Sequence, residues 1–434
     1  MKHVSIIGLG YIGLPTAILT AEAGYDVFGF DIDKEKVKKL NAGDPTINEP
    51  NIKERLDSAL KKKNFKINTH LEYADFFIIT VPTPFKKNKT ADLQYVYQAI
   101  EAIAQKLMPG NLIIVESTVP VGTTEKLALY LEELSGLKLS SDFFVTYCPE
   151  RSIPGKIFKE LIENDRVLGG FCQRSCELAY LFYSKFVKGF LHITDDKTAE
   201  TVKLVENSAR DVQIAFANQV ASLCTTIGID PYNVIELANK HPRVNILSPT
   251  CGVGGHCIAV DPWFLIENFP QDTKLLKTAR EINETKPHQI IEKILIKTQE
   301  LKDLNQEKIK ILALGLTFKP DVDDIRESPA LLITKELLKH DALEIVAYDP
   351  YVNKETIKNL GISLTNSLNK ELFSVDIILI LVKHKEFLLL PEETFCNKII
   401  FDTCGLLHDI HKKHSKELWA GATRINCSFE NVTF

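Results

Sequence analysis

The stretch Val4-Ser5-Ile6-Ile7-Gly8-Leu9-Gly10-Tyr11-Ile12-Gly13 decides the fold. A short apolar run ends at Gly8, and the pattern G-x-G-x-x-G then leads into a helical stretch. A second apolar run, Val27–Phe30, is followed by Asp31, eighteen residues past Gly13. Glycines in that pattern mean little alone. Set between a strand and a helix, with an acidic residue at that distance, they describe a dinucleotide-binding turn. Gly8 permits the tight turn, Gly10 lets backbone approach a pyrophosphate at the helix N-terminus, and Gly13 lets the helix pack close to the sheet. Tyr11 and Ile12 belong to the same turn. Asp31 would accept a hydrogen bond from a ribose hydroxyl and repel a 2′-phosphate, which points to NAD rather than NADP.

Working outward, further strands are expected at Phe76–Val81, Leu112–Glu116 and Phe144–Tyr147, alternating with helical patterns. Such alternation implies a parallel sheet covered on both faces. Thr83, Ser117 and Thr118 follow strand ends, at the edge where these sheets bind ligands. From Thr198 to Thr226 the pattern is one long helix without Gly or Pro, and helical character returns from about Thr273 to Leu301. Alternation restarts near Glu307, with strands expected at Ile309–Leu314, Ile345–Tyr348, Ile377–Val382 and Ile399–Phe401. Here Leu314-Gly315 leads through a helix to Tyr348-Asp349, as Ile7-Gly8 leads to Phe30-Asp31. That is either a second nucleotide-type fold or a chance recurrence of a common pattern. The expected class is α/β: two Rossmann-like, doubly wound parallel-sheet domains joined by a central all-helical segment. The expected domains are 1–195 for the dinucleotide, 196–302 for dimerisation and a catalytic loop, and 303–434 for a second nucleotide ligand.

Composition sets outer limits. The 434 residues are 45% hydrophobic and 25% charged, with a net charge of -5. No basic field calls for nucleic acid, and Lys61–Lys63 reads as a solvated helix face. No apolar run approaches a membrane span. The chain enters a strand at Val4 with no leader before it, so a cytoplasmic location is expected. Nine cysteines without a C-x-x-C pair are then expected to be free thiols.

The most informative loop is Gly252-Val253-Gly254-Gly255-His256-Cys257-Ile258-Ala259-Val260-Asp261. Three glycines leave the Cys257 thiol little steric cover and let the loop approach a bulky ligand. Spacing alone also fits an inert core thiol. A chelate from Cys251, His256 and Cys257 lacks zinc-like spacing, so no metal is expected. Beside NAD, a thiolate has a use: it adds to an aldehyde, and the resulting thiohemiacetal can lose a second hydride to become a thioester that water cleaves. Upstream, Lys203, Asn207 and Arg210 are spaced four and three apart and share a helix face. That face could stabilise an oxyanion, or it could be a solvated stripe.

These segments, taken in order, resemble the UDP-glucose/UDP-N-acetylhexosamine 6-dehydrogenase family. The resemblance runs from Met1 to about Leu406. It covers G-L-G-Y-I-G-L-P, V-P-T-P at Val81–Pro84, E-S-T at Glu116–Thr118, C-P-E-R at Cys148–Arg151, G-G-H-C-I-A-V-D-P, and L-T-F-K-P-D-V-D-D-I-R-E-S-P at Leu316–Pro329. It implies a four-electron oxidation of a UDP-sugar by NAD, with Cys257 as nucleophile. Lys203 and Asn207 would stabilise oxyanions, Asp261 would handle protons and water, Glu150 would assist thioester hydrolysis, and Thr118 would touch nicotinamide or water. Arg326 is implied near the cofactor. Phe318, Lys319, Gly254, Arg151 and Arg210 are implied around the substrate. His241 is implied there too, and Arg243 is implied to reach it across a homodimer interface. Within the family, Asn164–Gly170, His241–Leu247 and His256–Phe264 look most like enzymes acting on UDP-N-acetyl-D-mannosamine, with UDP-N-acetylglucosamine or UDP-glucose as the alternative substrate. One departure stands out: Asp402-Thr403 is followed by Cys404, where the family usually carries a basic residue. Outside the family, a two-electron β-hydroxyacid dehydrogenase or a non-catalytic NAD binder would share parts of the pattern.

Overall fold

The computed structural model describes residues 2–86, 88–302, 308–396, 398–418 and 430–433. The chain divides into two compact units, Met1–Glu206 with Trp263–Asp272, and Asn207–Pro262 with Thr273–Phe434. Among the described residues no helix is long and apolar enough to cross a membrane.

The first unit is built on eight strands: β1 His3–Ile7, β2 Asp26–Phe30, β3 Phe65–Asn68, β4 Phe76–Ile79, β5 Leu112–Val115, β6 Phe144–Tyr147, β7 Arg166–Gly170 and β8 Leu191–Thr194. They lie in the order β3-β2-β1-β4-β5-β6-β7-β8. All pairs are parallel except β6 with β7. Side chains alternate across the sheet, so Val4, Ile6, Phe76, Ile78, Leu112 and Ile114 pack into one core. Ile7, Phe77, Ile79, Ile113 and Val115 pack into another on the opposite face. Burial on both faces is why these strands read as unbroken apolar runs.

The second unit holds β9 Ile309–Leu314, β10 Leu343–Tyr348, β11 Ser363–Leu364, β12 Ile377–Ile380, β13 Ile399–Asp402 and β14 Glu430–Thr433. Their order, β11-β10-β9-β12-β13-β14, is parallel throughout and is that of a dinucleotide-binding sheet. The internal recurrence is therefore a repeated fold. It extends to hydrogen bonds: Gly8 N donates to Phe30 O at 2.8 Å and Gly315 N to Tyr348 O at 2.9 Å. Both glycines have positive φ, 92° and 89°.

The helical middle is observed as Asp196–Ile227, Pro231–Ala238, Asp261–Asn268 and Lys274–Lys302. Within the second unit, Asn218 (fully buried) bonds Asn283 Oδ1 at 3.0 Å, and Asn283 Nδ2 bonds Asp211 Oδ1 at 2.8 Å. Seven of the described cysteines are free thiols, whereas Cys396 is disulfide-bonded, which departs from the expectation of free thiols throughout.

Candidate active site

In the first unit the glycine turn has the predicted geometry. A Cβ on Gly13 would sit 1.8 Å from Gly8 O, so only glycine lets the helix Gly13–Glu22 start there. A Cβ on Gly10 would meet nothing within 4 Å. The backbone at Gly10 thus faces open space at a helix N-terminus, which fits a pyrophosphate. Tyr11 and Ile12 are half-buried beside it.

Asp31 does more than the sequence indicated. Its Oδ2 accepts from Leu9 N at 2.9 Å and its Oδ1 from Asp33 N at 3.0 Å. Asp349 does the same in the second unit, accepting from Leu316 N at 2.7 Å and Tyr351 N at 2.8 Å. Bracing the glycine turn is thus a property of the fold, and any ribose contact by Asp31 is added to it. Lys36, which the sequence reading passed over, lies 2.8 Å from Asp31 Oδ2 and places a cation at the same edge.

At the ends of β4 and β5, Thr83 and Thr118 are half-buried. Ser117 Oγ donates to Val81 O at 2.7 Å and ties the two strand ends together. Glu116 turns inward. It pairs with Arg166 at 3.1 Å and accepts from Tyr183 OH at 2.6 Å. Burial raises its pKa, against the opposing influence of Arg166. Two segments quoted from the sequence therefore meet in a buried ion pair rather than at a ligand. Glu200, fully buried, caps the turn after Thr118, accepting from Gly122 N at 2.5 Å and Thr124 N at 2.7 Å. Three residues on, the Lys203 ammonium donates to Glu150 O at 2.6 Å. Glu150 Oε1 accepts from Ser152 N at 2.5 Å. Arg151 pairs with Glu206 and donates to Asp165 O at 3.2 Å.

In the second unit Cys257 is an exposed free thiol, whereas Cys148, Cys176, Cys224, Cys251 and Cys404 are buried. Burial pushes Cys148 up to about 11 and Cys251 to about 12, which keeps both as inert thiols. Cys172 is half-buried. Partial burial raises its pKa, but hydrogen bonds from Ser175 and neighbouring donors outweigh this and bring it down. That thiol is committed to capping the helix Gln173–Tyr183.

The carbonyl of Cys257 accepts from Asp261 N at 2.8 Å, closing a turn into the helix Asp261–Asn268. Asp261 is buried at 3% exposure, and its Oδ2 accepts from Asn207 Nδ2 at 2.5 Å. Lys203 and Asn207 are both carried by the helix Asp196–Ile227, and Arg210 on the same helix is exposed.

The glycines before Cys257 make close contacts within the chain. A Cβ on Gly254 would meet Glu327 O at 2.4 Å, and one on Gly255 the Phe318 ring at 2.8 Å. They press the loop onto Phe318 and Glu327–Pro329, and Gly255 N donates to Arg326 O at 3.2 Å. The loop thereby lies against the segment carrying Lys319, whose ammonium stands 5.6 Å over the Phe318 ring. Arg326 forks onto Asp324, with Nε 2.8 Å from Oδ1. His241 and Arg243 lie on an exposed loop that Asn239 closes by two hydrogen bonds to Ile246, at 2.7 and 2.9 Å.

Cys404 is buried beside Asp402, whose carboxylate accepts from Cys404, Gly405 and Leu407 N. Burial and Asp402 raise the thiol well above its ordinary value, while the nearby Lys383 ammonium pulls it down. A cation therefore does stand near position 404, paired with Asp409 at 2.7 Å.

Known proteins share this arrangement. The NAD binding domain of the UDP-glucose/GDP-mannose dehydrogenase family matches residues 2–187, its central domain 197–285 and its UDP binding domain 312–409. A UDP-N-acetyl-D-mannosamine dehydrogenase of Campylobacter jejuni is 45% identical over 89% of this chain and 96% of its own. An NDP-N-acetyl-D-galactosaminuronic acid dehydrogenase of Ralstonia solanacearum is 40% identical over 93% and 96%. The solved UDP-D-ManNAc dehydrogenase of Pyrococcus horikoshii superposes with a TM-score of 0.86 at 39% identity, covering 99% of each chain. With an NAD turn in one unit, a second nucleotide fold in the other and all three family domains in order, the chain belongs to the UDP-glucose/GDP-mannose dehydrogenase family.

Proposed function

We propose that the chain oxidises the C6 alcohol of UDP-N-acetyl-D-mannosamine to the carboxylate, with Cys257 as covalent nucleophile. The observation that carries this reading is the exposure of Cys257, while Cys224, Cys251 and Cys404 of the same unit are buried. NAD, when bound, accepts one hydride in each of two oxidations. The thiolate adds to the aldehyde carbon, and its sulfur stays bonded as that carbon loses a second hydride to become a thioester. Water then breaks the carbon–sulfur bond, releasing the acid and restoring the thiol. The sum is one alcohol, one water and two NAD giving one carboxylate, two NADH and three protons.

Lys203, anchored at Glu150 O, and Asn207, anchored at Asp261, supply N–H donors to the oxyanions. Asp261 is the proton acceptor for water, with Glu150 and Thr118 assisting. Gly8–Gly13, Asp31, Thr83 and Arg326 serve NAD. Phe318, Lys319, Gly254, Arg151 and Arg210 serve the UDP-sugar. The sugar assignment rests on the Campylobacter jejuni and Pyrococcus horikoshii relatives, and the galactosaminuronic acid relative names the competitor.

The test is turnover with three UDP-N-acetylhexosamines and UDP-glucose, counting NADH per sugar. The manno-configured sugar should have the highest kcat/KM and a ratio of two. A ratio of one, or a higher kcat/KM for a competitor, rejects the proposal. We also propose a cytoplasmic homodimer. Phe216, Leu223 and Ile227 are 54%, 58% and 59% exposed along one helix, a stripe that a second copy would cover. His241 and Arg243 would then reach the partner's sugar. Full activity from a species of monomer mass in solution contradicts this.

A further inference from the structure

The two sheets can be compared position by position. Ile7 pairs with Ile79 in the first and Leu314 with Ile380 in the second. Four residues beyond those partners stand Thr83 and His384, so His384 holds in the second fold the place of a strand-end residue assigned to NAD in the first. The turns match too, with Gly8 at Gly315 and Gly10 at Thr317. There the likeness stops. Gly13 opens a helix, whereas its counterpart Pro320 begins an irregular stretch that becomes helical only at Pro329.

At that place the second fold carries a buried side chain. His384 is 0% exposed. Its Nε2 lies 3.2 Å from Asp349 Oδ2 and 3.4 Å from Thr317 Oγ1. Its Nδ1 accepts from Asp321 N at 3.0 Å. An acceptor at Nδ1 places the ring proton on Nε2, facing the Asp349 carboxylate. Tyr351 and Phe387 pack on the ring at centroid distances of 5.0 and 5.3 Å. Asp321 has a φ of 61°, unusual for a residue with a Cβ. Two bonds to one short segment hold it there: its N–H to His384, and its Oδ1 accepting from Lys385 N at 3.0 Å. Between Thr317 and Asp321, both bonded to His384, lie Phe318, Lys319 and Pro320.

We infer that His384 is a positioning residue for the substrate nucleotide. Its imidazole occupies the crevice that a dinucleotide takes in the first fold, and through Asp321 it fixes the Thr317–Asp321 loop so that Lys319 can meet the UDP moiety. The inference rests on the reading that this loop contacts UDP. It deepens that reading by naming what holds the loop.

Two near-isosteric variants separate the bonds. His384→Asn can still offer an oxygen near the Nδ1 position to Asp321 N. His384→Gln keeps a donor near the Nε2 position for Asp349 but cannot reach Asp321. Backbone amide exchange is measured without ligand, and UDP and NAD dissociation constants are measured by titration calorimetry on the full chain. In His384→Gln the Asp321 amide should lose protection and the Kd for UDP should rise about tenfold, equivalent to about 1.4 kcal/mol, with the Kd for NAD unchanged. His384→Asn should keep Asp321 protected and UDP binding within about threefold of wild type, a rescue that a purely space-filling role would not produce. Equal UDP affinities in the two variants, unchanged Asp321 exchange in His384→Gln, or an unfolded His384→Asn would each overturn the inference. An unprotected Asp321 amide in the wild-type chain would sink this inference alone. Failure of the wild-type chain to bind UDP would sink the substrate reading and the UDP part of this one with it.

Discussion

Arg280→Met tests how the Cys257 loop is held in place. Arg280 is 2% exposed, and its NH1 lies 2.7 Å from Oδ1 of Asp211, which is 1% exposed. Asp211 also accepts from Asn283 at 2.8 Å, Asn283 accepts from Asn218 at 3.0 Å, and Asn218 Oδ1 accepts from Thr250 N at 2.9 Å. A buried polar chain thus runs from the ion pair to the residue before Cys251. Methionine keeps an unbranched stem and removes the charge, leaving the Asp211 carboxylate with an amide as its remaining side-chain donor. Stripping one partner from a buried pair costs about 3–5 kcal/mol. At roughly 2–4 °C per kcal/mol for a unit of this size, the melting midpoint should fall by about 6–20 °C. The effect has a pH signature. Burial raises the pKa of Asp211 and Arg280 is the main influence opposing it, so removing Arg280 raises it further. A carboxyl whose folded pKa exceeds its unfolded value carries no penalty below the unfolded pKa, and stability is lost as pH rises from there up to the folded pKa. The variant should therefore lose less stability at about pH 5 than at about pH 8, and Asp211→Asn added to it should recover most of the loss. Chemical denaturation at both pH values measures this. A loss below about 1 kcal/mol, a loss equal at both pH values, or a double variant no better than the single one would refute the reasoning.

Four further outcomes are expected. Cys257→Ser should slow acid formation by at least about a hundredfold while UDP-sugar binding stays within about twofold; acid formed at the normal rate would remove the thiol from the mechanism. Gly10→Ala should leave the melting midpoint unchanged and weaken NAD about tenfold, because the added methyl enters the space a pyrophosphate needs. Gly13→Ala should cost about 1–3 kcal/mol of stability, because the methyl collides with Gly8 O; calorimetry reads both, and equal effects would show the two glycines to be interchangeable. Lys383→Met should weaken UDP binding about fivefold if this cation substitutes for the basic side chain missing at Cys404; an unchanged Kd would show that the diphosphate does without it.

The central strands were legible because burial on both faces writes itself as an unbroken apolar run. Strands at the margins were not. Phe65-Lys66-Ile67-Asn68 alternates buried and exposed at a sheet edge, Leu191–Thr194 is half exposed, and Ser363–Leu364 is two residues long. None of these offers periodicity enough to separate a strand from a turn. The site divides along a similar line. The glycine turn and the Cys257 loop are local, so residue type and spacing describe them. The supports, Glu116 with Arg166, Asp211 with Arg280 and Asp349 with His384, join residues 50, 69 and 35 positions apart. No local pattern announces them, and a single histidine in Val382-Lys383-His384 gains meaning only once the strand register gives it a counterpart.

The glycines before Cys257 show the same limit from the other side. Their presence reports that something stands too near for a Cβ, and the sequence reading supplied a ligand for that something. The structure supplies Phe318, Glu327 and Pro329 of the same chain. A glycine specifies that space is taken without specifying by what. At Gly10, where a Cβ would meet nothing, the inference runs the other way: the space is kept open by the protein, and a ligand is the remaining reason for it. Distinguishing those glycines requires coordinates: Gly254 and Gly255 lie against Phe318 of the loop Thr317–Asp321, which also carries Lys319, whereas Gly10 lies against nothing in the chain.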